Sequence, residues 1–145
     1  EVPTQQVSSF ALTPGGQNLV VAFHDKTLKV YPLDPKNSDP KPFEKKGLPK
    51  IATKMAFSPD GKKLALVYNG LAEVYDEKGK RIQEFPLAGF EHNEVTFNHD
   101  GTLIGFAGRK NGGRLLVYEV EGGKLRFEGE GHASNMLCLT FSPDG

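Results

Sequence analysis

The chain has 145 residues with 18 basic and 18 acidic side chains, and its 37% hydrophobic content is too high for a disordered low-complexity chain. A net charge of zero argues against a main ligand such as a phosphate backbone or an anionic membrane, because binding to both depends on an excess of basic residues. With one cysteine, no apolar run of membrane-spanning length and no signal-peptide pattern, we expect an intracellular protein without membrane insertion, in the cytoplasm with the nucleus as the alternative.

Four segments of the chain repeat one pattern, which is an apolar residue, a small polar residue, a turn and a glycine. They are 12–16, 57–61, 97–101 and 141–145. Their closing glycines, Gly16, Gly61, Gly101 and Gly145, lie 45, 40 and 44 residues apart. An apolar run and a Val-Tyr pair follow each of the first three glycines, and the pairs end at Tyr31, Tyr75 and Tyr118. A period of this length indicates a structural repeat.

Apolar and polar residues alternate between the turn signals, a pattern typical of antiparallel strands joined by hairpins. The first repeat predicts strands at 7–12, 18–23 and 27–31, with a weak outer strand at 42–44. The second predicts strands at 52–57, 63–68, 71–75 and 81–85, and the third at 94–97, 103–107, 114–118 and 124–128. A lone inner strand is predicted at 136–141.

Four strands in each repeat of about 40 to 45 residues are typical of propeller blades. The predicted fold class is therefore all-β, with about three four-stranded antiparallel blades and the inner strand of a fourth. We divide the chain into blades at 1–46, 47–88 and 89–130, with the start of a fourth blade at 131–145. Because propellers usually need about four to eight blades to close, we expect a partial propeller completed by sequence outside this chain or by another chain.

Several segments of the chain resemble WD40 repeats. The sequence from Asp25 to Tyr31 is similar to the family's Asp-x-Thr-Ile-Lys-Val-Trp motif, with Tyr in place of Trp. Gly131-His132 and the segment from Phe141 to Gly145 are similar to its Gly-His and Phe-Ser-Pro-Asp-Gly motifs. The Gly-His pair is replaced in the other repeats, and the family's His, Ser/Thr, Asp and Trp tetrad is complete in none. The resemblance marks as structural repeat residues Gly16, Asp25, Tyr31, Asp60, Gly61, Tyr75, Asp100, Gly101, Tyr118, His132, Asp144 and Gly145.

WD40 domains generally serve as platforms in multiprotein assemblies, so the resemblance implies a non-enzymatic scaffold that binds other proteins. One alternative is a TolB-like or enzyme-associated propeller whose chemistry lies in a domain missing from this chain. A third hypothesis is a propeller that binds a small ligand in its central channel. Further Gly-His and Trp-Asp repeats in a longer sequence would favour the scaffold, and an appended hydrolase domain would favour the enzyme-associated alternative.

The strand order sorts the connections of each blade onto two faces. With strands named a to d in chain order, the a–b and c–d turns lie on one face, and the b–c turns and the d–a connections between blades lie on the other. Loops on a rigid scaffold are where binding residues concentrate. We predict a partner-binding patch with an aromatic anchor and a basic rim on the b–c face. Its residues are Lys45, Lys46, Lys50, Phe90, His92, Arg109 and Lys110. The alternative interpretation is that the lysines are solvated and that Phe90 packs under its own loop.

The sequence predicts no catalytic, metal-binding or cofactor site. Cys138 lies in the apolar run 136–139, and we interpret it as a buried packing residue without a neighbouring base. The adjacent His24 and Asp25 are interpreted as structural, because side chains of neighbouring strand or turn residues point apart. His92, His99 and His132 lack the spacing of a zinc site. The glycine-rich segment 108–113 opens no helix that could hold a phosphate, and nucleic acid is not an expected partner.

Overall fold

The computed structural model describes residues 5–34, 36, 43–89, 91–109, 111–132 and 136–144, with residues 92, 93, 131 and 132 described by strand position only. Within these ranges the chain forms eleven β-strands and no helix. The strands are β1 (Val7–Leu12), β2 (Asn18–Phe23), β3 (Leu28–Pro32), β4 (Lys54–Phe57), β5 (Lys63–Tyr68), β6 (Leu71–Asp76), β7 (Arg81–Pro86), β8 (Glu91–Phe97), β9 (Leu103–Arg109), β10 (Gly113–Glu119) and β11 (Leu125–His132).

The described strands form three antiparallel sheets in which every strand pairs with its neighbour in sequence. Sheet 1 has the order β1-β2-β3, sheet 2 the order β4-β5-β6-β7 and sheet 3 the order β8-β9-β10-β11. The inner strands β1 and β4 contact each other, and so do β4 and β8. The all-β prediction and the four-stranded blades of the second and third repeats are confirmed.

Each a–b hairpin closes at the glycine that ends the sequence pattern. Gly16, Gly61 and Gly101 have φ angles of 69°, 72° and 70°, in the left-handed region that glycine reaches without steric cost. The amide of each glycine donates to the carbonyl oxygen three residues earlier, at 2.8 Å for Thr13, 2.9 Å for Ser58 and 3.1 Å for Asn98. The three hairpins therefore have the same geometry, and they set the same a–b strand register in each of the three sheets.

Two hydrophobic clusters hold the three sheets together. β5 contributes to both, because its alternate side chains point to opposite faces of sheet 2. Leu64, Leu66 and Tyr68 pack against residues of sheet 1, whereas Ala65 and Val67 pack against residues of sheet 3. Full burial of a leucine side chain contributes about 1.5–3 kcal/mol, so the middle sheet gains packing energy on both faces.

The structure moves several predicted strand boundaries. β8 begins at Glu91, three residues before the predicted start, because Glu91 pairs with Arg109 across to β9. The connection between the predicted strands 81–85 and 94–97 is thus shorter than expected, and His92 is a strand residue. β11 runs to His132, beyond the predicted end at 128. In the first blade the prediction of an outer strand at 42–44 is wrong for its described part, since residues 43 and 44 form a turn and an irregular position, and residue 42 lies outside the described ranges. Lys45, directly after them, forms an isolated bridge with Leu28.

The prediction of a fourth inner strand at 136–141 differs from the structure, in which residues 136–144 form no strand. No described strand offers this segment a ladder of hydrogen bonds. Two of its side chains, Leu139 and Phe141, instead pack on the face of sheet 3 that points away from sheet 2. A Cβ on Gly105 would lie 2.6 Å from Leu139 Cδ2 and 3.3 Å from Phe141 Cε2, so the glycine makes room for both. Cys138 is exposed, and the expectation of a buried thiol is wrong.

Candidate protein-interaction face

The polar side chains of the a–b face are largely used to build its own turns. Asp60 Oδ1 accepts from the Ser58 hydroxyl at 2.6 Å and from the Lys62 amide at 3.0 Å. Asp100 Oδ1 accepts from the amide of Thr102 at 2.9 Å and also from its hydroxyl. The pKa values of both carboxyls are below their usual range. The largest cause is the hydrogen bond from the Ser58 hydroxyl for Asp60 and from the Thr102 hydroxyl for Asp100.

Neighbouring turns on the a–b face also touch one another. A Cβ on Gly61 would lie 3.5 Å from the Pro14 ring, and one on Gly101 would lie 3.2 Å from Ser58 Cβ. Lys63 Nζ donates to the Gly101 carbonyl oxygen at 3.3 Å, which ties sheet 2 to sheet 3. These turns therefore set the spacing between sheets, and their carboxylates are already engaged.

The b–c face begins with the turn between β2 and β3. Asp25 Oδ1 accepts from the amide of Thr27 at 3.0 Å and from its hydroxyl at 2.6 Å, and the hydroxyl bond is the largest influence lowering the pKa of Asp25. Lys26 adopts a φ of 64°, which is uncommon for a residue with a side chain. The Leu48 amide donates to the Lys26 carbonyl oxygen at 3.0 Å, so the connection between sheets 1 and 2 fixes this turn.

The structure distributes the seven residues of the predicted patch among different environments. Phe90 and Lys110 lie outside the described residues, and His92 is described only as part of β8. Lys46 is exposed, and Lys50 Nζ donates to the Asn69 carbonyl oxygen at 2.7 Å. Arg109 forms an ion pair with Glu91 through Nη2 and Oε2, at 2.6 Å.

Lys45 is half-buried, and its amine is engaged within the protein. Its Nζ donates to the Gly79 carbonyl oxygen at 2.8 Å and lies 4.7 Å from the centre of the Tyr75 ring. Both partners belong to the second repeat, and cations over aromatic faces are attracted by the ring electrons. Lys45 therefore connects sheet 1 to sheet 2. The described cations that remain on the b–c face are Lys46, Lys50 and Arg109, with His24 and Lys26 beside them.

Two separate surface cavities open on the b–c face. One, of about 390 Å³, is lined by Gly89, Glu91, Arg109 and Asn111 at the edge of sheet 3. The other, of about 500 Å³, lies where sheets 1 and 2 meet, and Lys50 is one of its lining residues. Lys50 and Arg109 thus line different cavities.

Sequence reasoning missed a buried charge in sheet 2. The Glu73 side chain is 2% exposed, and its carboxylate accepts from the Tyr75 hydroxyl at 2.5 Å and from Arg81 Nη1 at 2.7 Å. Burial raises the pKa of Glu73, but the bonds from Tyr75 and Arg81 outweigh burial and hold it below its usual range. Burial likewise raises the pKa of Tyr68, which lies beside this cluster. The only sequence signal was a Glu between Ala72 and Val74.

Within the described ranges, no group of three His, Cys, Asp or Glu side chains is placed to hold a metal ion. Helices long and apolar enough to cross a bilayer are likewise absent from those ranges.

The chain forms three consecutive antiparallel sheets of three or four strands, packed face to face with their inner strands in contact. This arrangement is that of β-propeller blades. Residues 2–31 match the family described as WD domain, G-beta repeat. Residues 2–31 therefore match a WD40 repeat, and the three sheets have the fold of propeller blades, as the sequence resemblance implied.

Two solved structures share this fold, the structure of U3-55K and the crystal structure of RRP9 WD40 repeats. Each aligns with a TM-score of 0.73 and 15% sequence identity over 93% of this chain. The chain spans 42% of the length of each of these structures. A comparison with curated protein sequences finds no match. The WD40 repeat fold is generally a protein-interaction scaffold, typically without enzymatic activity.

Proposed function

We propose that the protein is a non-catalytic, intracellular scaffold that binds partner proteins through its b–c face, within a multiprotein complex. The general role of the WD40 fold supports a scaffold. The location rests on the sequence alone, since a single cysteine and a lack of membrane-length apolar runs favour an intracellular protein.

The contrast between the two faces is the observation that carries the choice of surface. On the a–b face, Asp60, Asp100 and Asp76 accept hydrogen bonds from their own turns. On the b–c face Asp25 is likewise held by its own turn, but Lys46 is exposed in the connection between sheets 1 and 2. Arg109 pairs with Glu91, whose side chain is 69% exposed, and not with its own turn. Polar groups that a turn does not consume are available to a partner, and arginine is enriched in protein interfaces.

Charge reversal on each face tests this proposal. Lys46→Glu with Arg109→Glu changes two exposed cations on the b–c face, and Lys62→Glu with Lys78→Glu changes two on the a–b face. Both variants alter the net charge equally. We expect the first variant to lose at least about tenfold in affinity for partners isolated with the parent chain, and the second to retain it. Equal binding by the b–c variant, or equal loss in both variants, would contradict the choice of face.

We also propose that a further sheet, from this polypeptide or another chain, packs on the free face of sheet 1. Phe10, Leu12 and Tyr31 are 66%, 55% and 43% exposed there. The corresponding positions of sheets 2 and 3 pack against a neighbouring sheet. Sedimentation equilibrium of the chain alone and of its Phe10→Ser variant tests whether a second copy of the chain covers this face. If the parent chain associates and the variant does not, this face is the contact.

A further inference from the structure

The cavity between sheets 1 and 2 on the b–c face has a one-sided charge. Three basic side chains line it, His24 and Lys26 from the β2–β3 turn and Lys50 from the connection that leads into β4. None of its lining residues is acidic. In a chain with equal numbers of acidic and basic residues, a concave site lined by three basic groups and no carboxylate favours an anion.

Lys26 of this cavity stands on a fixed backbone, and the amine of Lys50 is held by a hydrogen bond. Lys26 is held at its positive φ by two hydrogen bonds, from its amide to the Phe23 carbonyl oxygen at 3.1 Å and from the Leu48 amide to its own carbonyl oxygen. Lys50 is oriented by its bond to the Asn69 carbonyl oxygen across the cavity wall. Non-glycine residues in the left-handed region concentrate at functional sites, because neighbouring structure must enforce them.

Two further features describe what fits the cavity. Ile51 contributes an apolar side chain to the lining, so the walls suit a group with an aliphatic stem. Ser8, on the inner strand β1, also lines the cavity, and its Oγ is buried without a hydrogen-bond partner in the part of the chain that the structure describes. A buried hydroxyl without a partner is uncommon and favours a ligand that accepts its hydrogen bond.

We propose that this cavity binds the oxyanion of an acidic side chain on a partner peptide, either a glutamate carboxylate or a serine phosphate. This inference rests on the proposed function of the b–c face and adds the chemistry of the partner. Carboxylate and phosphate share what the site recognises, which is negative charge with several hydrogen-bond acceptors. The volume of about 500 Å³ accommodates one such side chain and part of its backbone.

Fluorescence anisotropy with defined probes tests the inference. The probes are one short labelled peptide with three central glutamates, the same peptide with a central phosphoserine, the same peptide with three glutamines, and a single-stranded oligothymidylate. We expect the parent chain to bind at least one acidic peptide, at least about tenfold more tightly than the glutamine peptide, with affinity that falls as salt rises. The preferred acidic peptide identifies the source of the oxyanion. Oligothymidylate binding above that of both acidic peptides, or no binding of either, would overturn the inference.

Lys26→Asn with Lys50→Gln is the informative variant, because asparagine tolerates the backbone of residue 26 while both charges are removed. Lys78→Gln with Lys80→Gln is its matched control, since both of these lysines are exposed in a turn of the a–b face. We expect the first variant to lose about tenfold or more in acidic-peptide affinity and the control to lose none. Equal affinities in the two variants would overturn the site.

Ser8→Ala separates a ligand contact from a structural role. Its hydroxyl makes no hydrogen bond with the described residues, so we expect unchanged thermal stability together with weaker acidic-peptide binding. Loss of stability with unchanged binding would show that the hydroxyl serves the fold. Failure of every peptide probe, with partner binding still sensitive to Lys46→Glu and Arg109→Glu, would leave the scaffold proposal standing and remove only this inference.

Discussion

Sheets 1 and 2 are built from the same repeat, but they meet different surroundings. Tyr31 and Tyr75 end the equivalent Val-Tyr pairs of the first and second repeats, yet Tyr31 is 43% exposed whereas Tyr75 is 6% exposed. Leu12 is 55% exposed, while its counterpart Phe57 packs against the cluster between sheets 1 and 2. Tyr118, the third counterpart, packs against Phe85 of sheet 2 at 5.1 Å between ring centres. The repeat thus fixes where an apolar side chain points, and the presence of a neighbouring sheet decides whether it is buried.

Matched truncations at a covered and an uncovered position give the largest expected difference. Phe85 of β7 is completely buried and its ring centre lies 5.7 Å from that of Phe106, whereas Phe10 of β1 is 66% exposed. We expect Phe85→Ala to lower the free energy of unfolding by about 3–5 kcal/mol, because it leaves a cavity between two sheets. Phe10→Ala should change it by less than about 0.5 kcal/mol.

Urea denaturation followed by far-UV circular dichroism measures both values. Similar losses in the two variants would show that sheet 1 is covered in solution, for example by a second copy of the chain. Repeating the measurement at several protein concentrations distinguishes that case, since an intermolecular contact makes the midpoint depend on concentration.

The buried ion pair of sheet 2 should give a smaller, pH-dependent difference. Arg81 bonds both to Glu73, which is 2% exposed, and to Glu84, which is 50% exposed. Removing one partner of a buried hydrogen bond costs about 1–3 kcal/mol, so we expect that loss for Glu73→Gln at pH 7. A surface pair contributes about 0–1 kcal/mol, and Glu84→Gln should stay in that range.

The sign of the pH dependence follows from the lowered pKa of Glu73. Its pKa is lower in the folded chain than the ordinary value of 4.5. The stabilisation is therefore complete above pH 4.5 and is lost as the pH falls through the folded pKa. The free energies of unfolding of the parent chain and of Glu73→Gln should therefore converge as the pH falls from 4.5 through the folded pKa. A gap that persists at low pH would show that the substitution acts through packing instead.

The strand pattern was predictable because its signals are local. Turn residues and the closing glycines Gly16, Gly61 and Gly101 set the hairpins, and alternation between them sets the strands. The start of β8 was not predictable, because Glu91 and His92 are polar and typical of a loop. They pair with β9, and only the long-range register shows that.

The candidate site was less accessible to sequence reasoning than the fold. Lys45 looks like any loop lysine, and its contacts with Tyr75 and Gly79 join residues at least 30 positions apart. The basic cavity likewise joins a hairpin turn to a connection that is distant in sequence, through Lys26 and Lys50. Sequence order assigned Lys45 and Lys50 to one face. It did not show that Lys50 shares a cavity with Lys26 or that Lys45 joins two sheets.

Equivalent glycines of covered and uncovered turns give the smallest expected difference. Gly101 and Gly16 close the same hairpin at φ angles of 70° and 69°. A Cβ on Gly101 would lie 3.2 Å from Ser58 Cβ of the preceding repeat, whereas a Cβ on Gly16 would meet no atom within 4 Å among the described residues. The left-handed backbone costs alanine about 1–2 kcal/mol at either position. Crowding against Ser58 should add about 1 kcal/mol for Gly101→Ala alone, measured as the difference between the two variants in urea denaturation. Equal losses would mean that the turns separate freely and that only the two hydrophobic clusters set the spacing of the sheets.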